Sequence, residues 1–186
     1  MSQGWTILVP LKPLDAAKSR LRGATPSLSH QELVLALARA TVAAASASEA
    51  VGRIVVVGSD ALAGVEHMPD RHGDLNAALQ EAALLVSGPV AAMPADLPAL
   101  RPDELTEALR LIDERGFVPD AEGTGTVLLA SARGPLRPQF GPGSALAHER
   151  SGARRLDGDW PTLRRDVDTP ADLDEALRLG WNLSRV

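Results

Sequence analysis

The run Trp5-Thr6-Ile7-Leu8-Val9 is flanked by polar residues and closed by Pro10, and it constrains the fold more than any other stretch. A short apolar segment bounded in this way reads as a buried strand of a mostly parallel sheet. Four cations, Lys12, Lys18, Arg20 and Arg22, follow it within eleven residues of a chain whose formal net charge is -5. Ligands of open α/β sheets sit beyond the carboxyl ends of the strands, so a basic loop leaving a first, central strand is placed to receive phosphates. Taken alone, a solvated basic loop accounts for the stretch equally well, because charge runs are usually just solvated.

Strand and helix patterns then alternate. Ser29-His30-Gln31-Glu32 fits a capping box and predicts a helix over 30–47. Ile54 to Gly58 is a second buried strand, and the connection between the two strands implies a right-handed βαβ unit. Residues 64–68 read as a short strand, 70–73 as a loop, and Asp74 to Ser87 as a helix stopped by Gly88. Pro89 to Met93 is a third buried strand. The rigid connection Pro94-Ala95-Asp96-Leu97-Pro98-Ala99-Leu100 follows, then a helix opened by Pro102, running to about Arg115 and ended by Gly116. Phe117 to Asp120 reads as a short edge segment, Thr126 to Ala130 and Leu163 to Val167 as strands. Ser144 is placed to cap a helix reaching Ser151, and Thr169 with Pro170 starts the final one. The alternation predicts an α/β chain forming one domain over residues 1–186.

Composition removes several function classes. Aromatics make up 3% with no Tyr, which argues against single-strand nucleic-acid binding by base stacking. A pI near 5.4 argues against a general duplex binder. The absence of Cys excludes disulfides, thiolate metal sites and Cys nucleophiles. No apolar run approaches the roughly 20 residues of a membrane span, and Met1 to Gly4 lacks the start of a signal peptide. The expectation is a cytoplasmic protein with no nucleic-acid or membrane partner.

Four clusters follow predicted strand ends and are expected on one rim: the basic loop at 10–22, Asp96, the glycine-rich turns, and Asp166 with Asp168. Cations, carboxylates and glycine-rich turns on one rim suit polyphosphate chemistry with a divalent metal. Asp96 lies between two prolines, so its carboxylate is aimed; the alternative is a turn cap. Asp166 and Asp168 point to the same side of an extended chain, and either can meet Asp96 around Mg²⁺, which takes one or two carboxylates plus phosphate oxygens. Helix-end electrostatics is the alternative for Asp168. Gly123-Thr124-Gly125-Thr126 can close on an anion or form a flexible hairpin loop. Gly141-Pro142-Gly143-Ser144 precedes a helix whose N-terminal amides can bind phosphate. The histidines (His30, His67, His72 and His148) show no metal-ligand spacing; His148 lies one turn beyond Ser144, and a surface or satisfied role suits each of them. No G-x-S-x-G, P-loop or post-strand G-x-G-x-x-G occurs.

Six motifs in order, V-P-L-K-P-L-D-A-A-K-S-R-L after the first strand, L-N-A-A-L at 75–79, A-D-L-P-A-L at 95–100, G-T-G-T at 123–126, F-G-P-G-S at 140–144 and D-V-D-T-P-A-D-L at 166–173, resemble the CofC/FbiD family. These are guanylyltransferases of coenzyme F-420 biosynthesis. The resemblance implies a three-layer sandwich with a mixed, mostly parallel sheet, nucleotide-diphospho-sugar-transferase-like and similar to MobA-type nucleotidyltransferases. It implies transfer of GMP from GTP to a small phosphorylated three-carbon acid: phosphoenolpyruvate, or else 2-phospholactate or 3-phosphoglycerate. By motif, Lys12, Lys18 and Asp96 are the catalytic set. Lys12, Lys18, Arg20, Leu75 and Asn76 meet the nucleotide, Thr126, Gly141 and Ser144 hold the acid, and Asp96 with Asp166 or Asp168 holds Mg²⁺. Hand-over to the next F-420 biosynthesis enzyme and a homodimer are compatible with it. Asp74 stands where relatives are expected to have Gly. A different MobA-like nucleotidyltransferase is the rival within enzymes, although those usually open with an L-A-G-G-type loop where this chain reads Pro10-Leu11-Lys12-Pro13. A nucleotide-sensing module without catalysis is the rival outside them.

Overall fold

The computed structural model describes residues 4–14 and 17–183, so Asp15 and Ala16 of the first motif, like Met1 to Gln3, lie outside the described residues. Seven strands form one sheet: β1 (Trp5–Leu11), β2 (Val51–Gly58), β3 (Glu66–Pro69), β4 (Val90–Ala92), β5 (Arg115–Pro119), β6 (Thr126–Ser131) and β7 (Arg154–Arg155). Their order is β3-β2-β1-β4-β6-β5-β7. The β1/β2, β1/β4, β2/β3 and β5/β7 pairs are parallel, and β6 runs antiparallel to both of its neighbours. The sheet is therefore mixed and mostly parallel, as the sequence led one to expect. The position of β1 in mid-sheet explains its composition, because both of its faces are covered. Ile7 and Val9 pack with Ala38, Val42, Leu105 and Leu109 on one side; Leu8 packs with Ala78, Leu79 and Phe117 on the other.

The helices are α1 (His30–Ser46), α2 (Leu75–Leu85), α3 (Pro102–Arg110), α4 (Ser144–Arg150) and α5 (Pro170–Arg178), with a short 3-10 turn at Ser19–Leu21. Ser29 and Glu32 form the reciprocal capping box of α1, and Thr169 with Asp172 does the same for α5. Leu33, Ala36 and Leu37 of α1 meet Leu173 and Ala176 of α5, joined by Leu21, Val167 and Trp181. This third apolar cluster anchors the basic loop through Leu21 and the 163–168 segment through Val167. Close approach of strand ends also matters: a Cβ at Gly58 would lie 1.9 Å from the Leu11 carbonyl oxygen.

Four sequence expectations need correction. Helix α3 ends at Arg110, and Gly116 lies within β5, where a Cβ would meet Ile112 Cδ1 at 2.6 Å. The chain must turn early to bring β5 beside β6. Phe117 to Pro119 is an interior strand, fully buried between β6 and β7. Leu163 to Val167 forms no strand. The buried Glu104 carboxylate accepts the Thr162 and Leu163 amides at 2.9 Å each, and the Val167 amide donates to the Asp96 carbonyl at 3.0 Å. Those bonds replace a ladder and hold the segment against the rim. Finally, Ser144 is the first helical residue of α4 rather than its cap; Gly143, at φ 72°, occupies the cap position.

Candidate active site

At the carboxyl ends of β1 and β4 lies a cavity of about 560 Å³. Lys12, Lys18, Arg20, Leu75, Asn76, Asp96, Gly141, Asp166 and Asp168 line it, together with Pro10, Asp74 and Phe140. Of the residues to which the motifs assign a catalytic, nucleotide, acid or metal role, all line this space except Thr126 and Ser144, which are 8% and 2% exposed.

The basic loop reaches the cavity because three contacts tie it down. His30 Nε2 bonds the Ala17 carbonyl oxygen at 2.6 Å, the Leu14 amide donates to Asp60, and Leu21 is fully buried. Lys18 itself has φ 53°, an uncommon left-handed conformation for a lysine. Its ammonium bridges Asp96 Oδ2 and Asp168 Oδ1. Burial opposes that charge, but the carboxylates of Asp96 and Asp168 outweigh burial and raise the ammonium to about 12. Asp96 is held by its backbone: the amide of Leu97 donates to Thr41 Oγ1, which in turn donates to the Leu37 carbonyl and contacts that of Ala95. Burial pushes the Asp96 carboxyl up, against the pull of Lys18. Both groups are raised, which favours the charged form of Lys18 but disfavours that of Asp96, because one ammonium serves two carboxylates while Asp96 faces its full desolvation with a single cation. Its Oδ1 is buried without a partner.

Asp166 is the third carboxyl of the cluster. Burial, then the charges of Asp96 and Asp168, raise it to about 7. The folded state therefore holds a proton on Asp166 that the unfolded chain has released above its ordinary 3.8, so stability falls as pH rises from about 4 to about 7. We expect Asp166→Asn to abolish this slope in chelator-treated protein. At pH 8 the variant should exceed the parent in denaturant unfolding by at most about 4 kcal/mol, at 1.36 kcal/mol for each pH unit of that window. Equal stabilities at pH 8 would remove the charge crowding from this account.

No group of three or more His, Asp or Glu among the described residues is arranged to hold a metal ion unaided. The donors that are present, a buried unpartnered carboxylate oxygen and a second carboxylate bridged to it by an ammonium, fit a hard divalent cation that completes its shell with phosphate oxygens.

Two expected contacts are spent on the fold. The amides of Thr124 and Gly125 donate to the Asp120 carboxylate at 2.9 and 2.7 Å, and the Gly123 amide donates to its carbonyl. The 123–125 turn is therefore closed on an internal carboxylate and is no anion cradle. Asn76 lines the cavity, but its amide pairs twice with the Phe140 backbone, donating at 3.0 Å and accepting at 2.7 Å. It pins the Phe140-Gly141 turn over the cavity. Asp74 accepts the Ala77 amide as N-cap of α2, which accounts for an acidic residue there.

Sequence reasoning left one residue aside. His148 is fully buried; its Nδ1 lies 2.9 Å from Thr126 Oγ1, and its Nε2 accepts the Gln139 amide at 2.9 Å. Burial, then the Arg115 charge, lowers it to about 4, so the ring is neutral. The one-turn spacing from Ser144 was the only signal for it.

A mixed sheet with a cavity of cations and carboxylates beyond its central strands is the fold shared by solved nucleotidyltransferases of the nucleotide-diphospho-sugar transferase type. A nucleotidyl transferase from Methanothermobacter thermautotroptrophicus matches with TM-score 0.65 at 20% identity, covering 94% of this chain and 98% of that one. A manganese complex of a Mycobacterium tuberculosis H37Rv protein matches with TM-score 0.58 at 20% identity, covering 96% and 100%. At these identities the likeness is one of fold. The family model described as "Guanylyl transferase CofC like" matches residues 5–182, and the chain belongs to that family. Its relatives include a phosphoenolpyruvate guanylyltransferase of Salinispora arenicola, 51% identical over 97% of this chain and 91% of that protein. One of Mycobacterium leprae is 40% identical over 94% and 88%.

Proposed function

We propose that this protein transfers GMP from GTP to phosphoenolpyruvate, giving enolpyruvoyl-2-diphospho-5'-guanosine and diphosphate, in coenzyme F-420 biosynthesis. The observation that carries the reading is the single cavity in which Lys12, Lys18 and Arg20 face Asp96, Asp166 and Asp168. Relatives named for this acceptor, at 40 to 51% identity over most of the chain, support it.

The chemistry needs no general base, since the acceptor's phosphate is ionised near neutral pH. One of its oxygens attacks the α-phosphorus of GTP. The new O–P bond forms as the bond from the α-phosphorus to the β-bridging oxygen breaks, and diphosphate leaves with that electron pair. What the protein must supply is alignment and countercharge. The two anions bring roughly six or seven negative charges together, and each unpaired like-charge contact near 4 Å costs around 4 kcal/mol at an effective dielectric of about 20. Lys12, Lys18 and Arg20 meet the triphosphate. Leu75 lies toward the base or ribose, and Asn76 acts through the turn it pins. Thr126, Gly141 and Ser144 hold the acid. Asp96 with Asp166 or Asp168 would hold Mg²⁺, which when bound neutralises phosphate charge and polarises the reacting phosphorus.

Mass spectrometry of products tests this directly. The protein is incubated with GTP, Mg²⁺ and phosphoenolpyruvate, 2-phospholactate or 3-phosphoglycerate in turn, with the next F-420 biosynthesis enzyme present to trap an unstable product by hand-over. The guanylylated enolpyruvate is expected. Product from another acid alone would move the reading to that acid, and GTP binding without product would overturn it.

A further inference from the structure

We propose that His148 is a positioning residue whose Nδ1–H fixes the Thr126 hydroxyl so that its proton is directed to an anionic oxygen of the acceptor acid. The proposal rests on the acceptor-site reading of Thr126 given above. It follows from which atoms can donate. The Gln139 amide can only donate, so Nε2 must be the unprotonated nitrogen of the ring. The ring proton is then on Nδ1, and across 2.9 Å it is given to Thr126 Oγ1. The hydroxyl thereby accepts on its one inward side, and its own proton finds no acceptor among the described residues.

The surroundings keep this arrangement in one state. Phe117 and Phe140 pack against the imidazole, with centroids 5.8 and 5.3 Å away and Phe140 edge-on. Arg115, bound to Ser151 and to the Leu136 carbonyl, is the charged group facing the ring and disfavours a second proton there. The Ser151 hydroxyl in turn donates to the His148 carbonyl. A register shift completes the geometry: Val118 pairs with Leu128 but Pro119 with Thr126, skipping Val127. The bulge lets Thr126 meet α4 while Leu128 packs in the cluster on the opposite side of the sheet. It also sets the hydroxyl at the start of β6, the strand that pairs antiparallel with β4, on the rim where β4 ends.

The test is a double-mutant cycle read as KM for phosphoenolpyruvate and KM for GTP. Thr126→Val and His148→Leu are each expected to raise the phosphoenolpyruvate KM by about tenfold to a hundredfold, the worth of a hydrogen bond to a charged group, with the GTP KM unchanged. The double variant should be no worse than Thr126→Val alone. His148→Asn, whose side-chain amide nitrogen occupies the Nδ1 position, should recover most of the loss. Full multiplication of the two single effects, or a His148→Leu enzyme with the parent's phosphoenolpyruvate KM, would overturn the role of His148. An unchanged KM in Thr126→Val would instead sink the acceptor reading of Thr126, a separate failure. Should His148→Leu not fold, nitrogen NMR of the intact protein decides: a protonated Nδ1 is expected, and a protonated Nε2 would overturn the proposal.

Discussion

Asp96→Asn should reduce GMP transfer by at least about a thousandfold while the protein folds normally. The size follows from the carboxylate's position: it is 6% exposed, its Oδ1 has no partner, and its backbone is fixed by Thr41 and Val167 rather than by its side chain. Removing one preorganised charge-stabilising group costs about 10²–10³, and groups acting on transferring phosphates cost up to about 10⁵. Asn keeps the shape and an acceptor for Lys18 but lacks the negative charge that binds Mg²⁺ against phosphate. Initial rates at saturating GTP and Mg²⁺, beside an unfolding curve, make the measurement. Near-normal turnover in a folded variant would rule Asp96 out as a ligand.

The second large effect is on stability. Lys18→Met removes the cation between Asp96 and Asp168, leaving a buried carboxylate crowded by two others. Breaking a buried pair by deleting one partner typically costs about 3–5 kcal/mol. In chelator at pH 8 this should lower Tm by about 10 °C, at roughly 2–4 °C per kcal/mol for a chain of this size. Two treatments should restore most of the loss. Millimolar Mg²⁺ supplies a replacement charge and stabilises by mass action. Lowering the pH to 5 protonates Asp166, which burial has pushed up to about 7, and so removes one of the crowding charges. An unchanged Tm in chelator at pH 8 would mean that the ammonium does not hold the cluster together.

Elements governed by local rules were legible in the sequence. The capping box at Ser29 and the Thr169-Pro170 start placed the beginnings of α1 and α5, and the apolar runs placed β1, β2 and β4, because a strand covered on both faces must be apolar along its length. The family motifs also pointed to the residues that line the cavity, apart from Thr126 and Ser144. Errors arose where a distant partner decides. Arg115 continued a helical pattern, yet its side chain is drawn to Leu136 and Ser151 and its backbone pairs with β6. Leu163 to Val167 reads as a strand in the sequence, but Glu104 and the Asp96 carbonyl satisfy the backbone of that segment from outside.

The sequence alone determined that an α/β sheet would present a basic loop beyond its first strand, since burial and capping act over a few residues. Only the tertiary structure decided how the polar groups are spent. Asp120 closes the glycine turn, Asn76 clamps Phe140, Lys18 stands between two carboxylates, and His148 orients Thr126. Hydrogen bonds and ion pairs form between whichever groups the fold brings within about 3–4 Å, and sequence spacing carries no record of those distances.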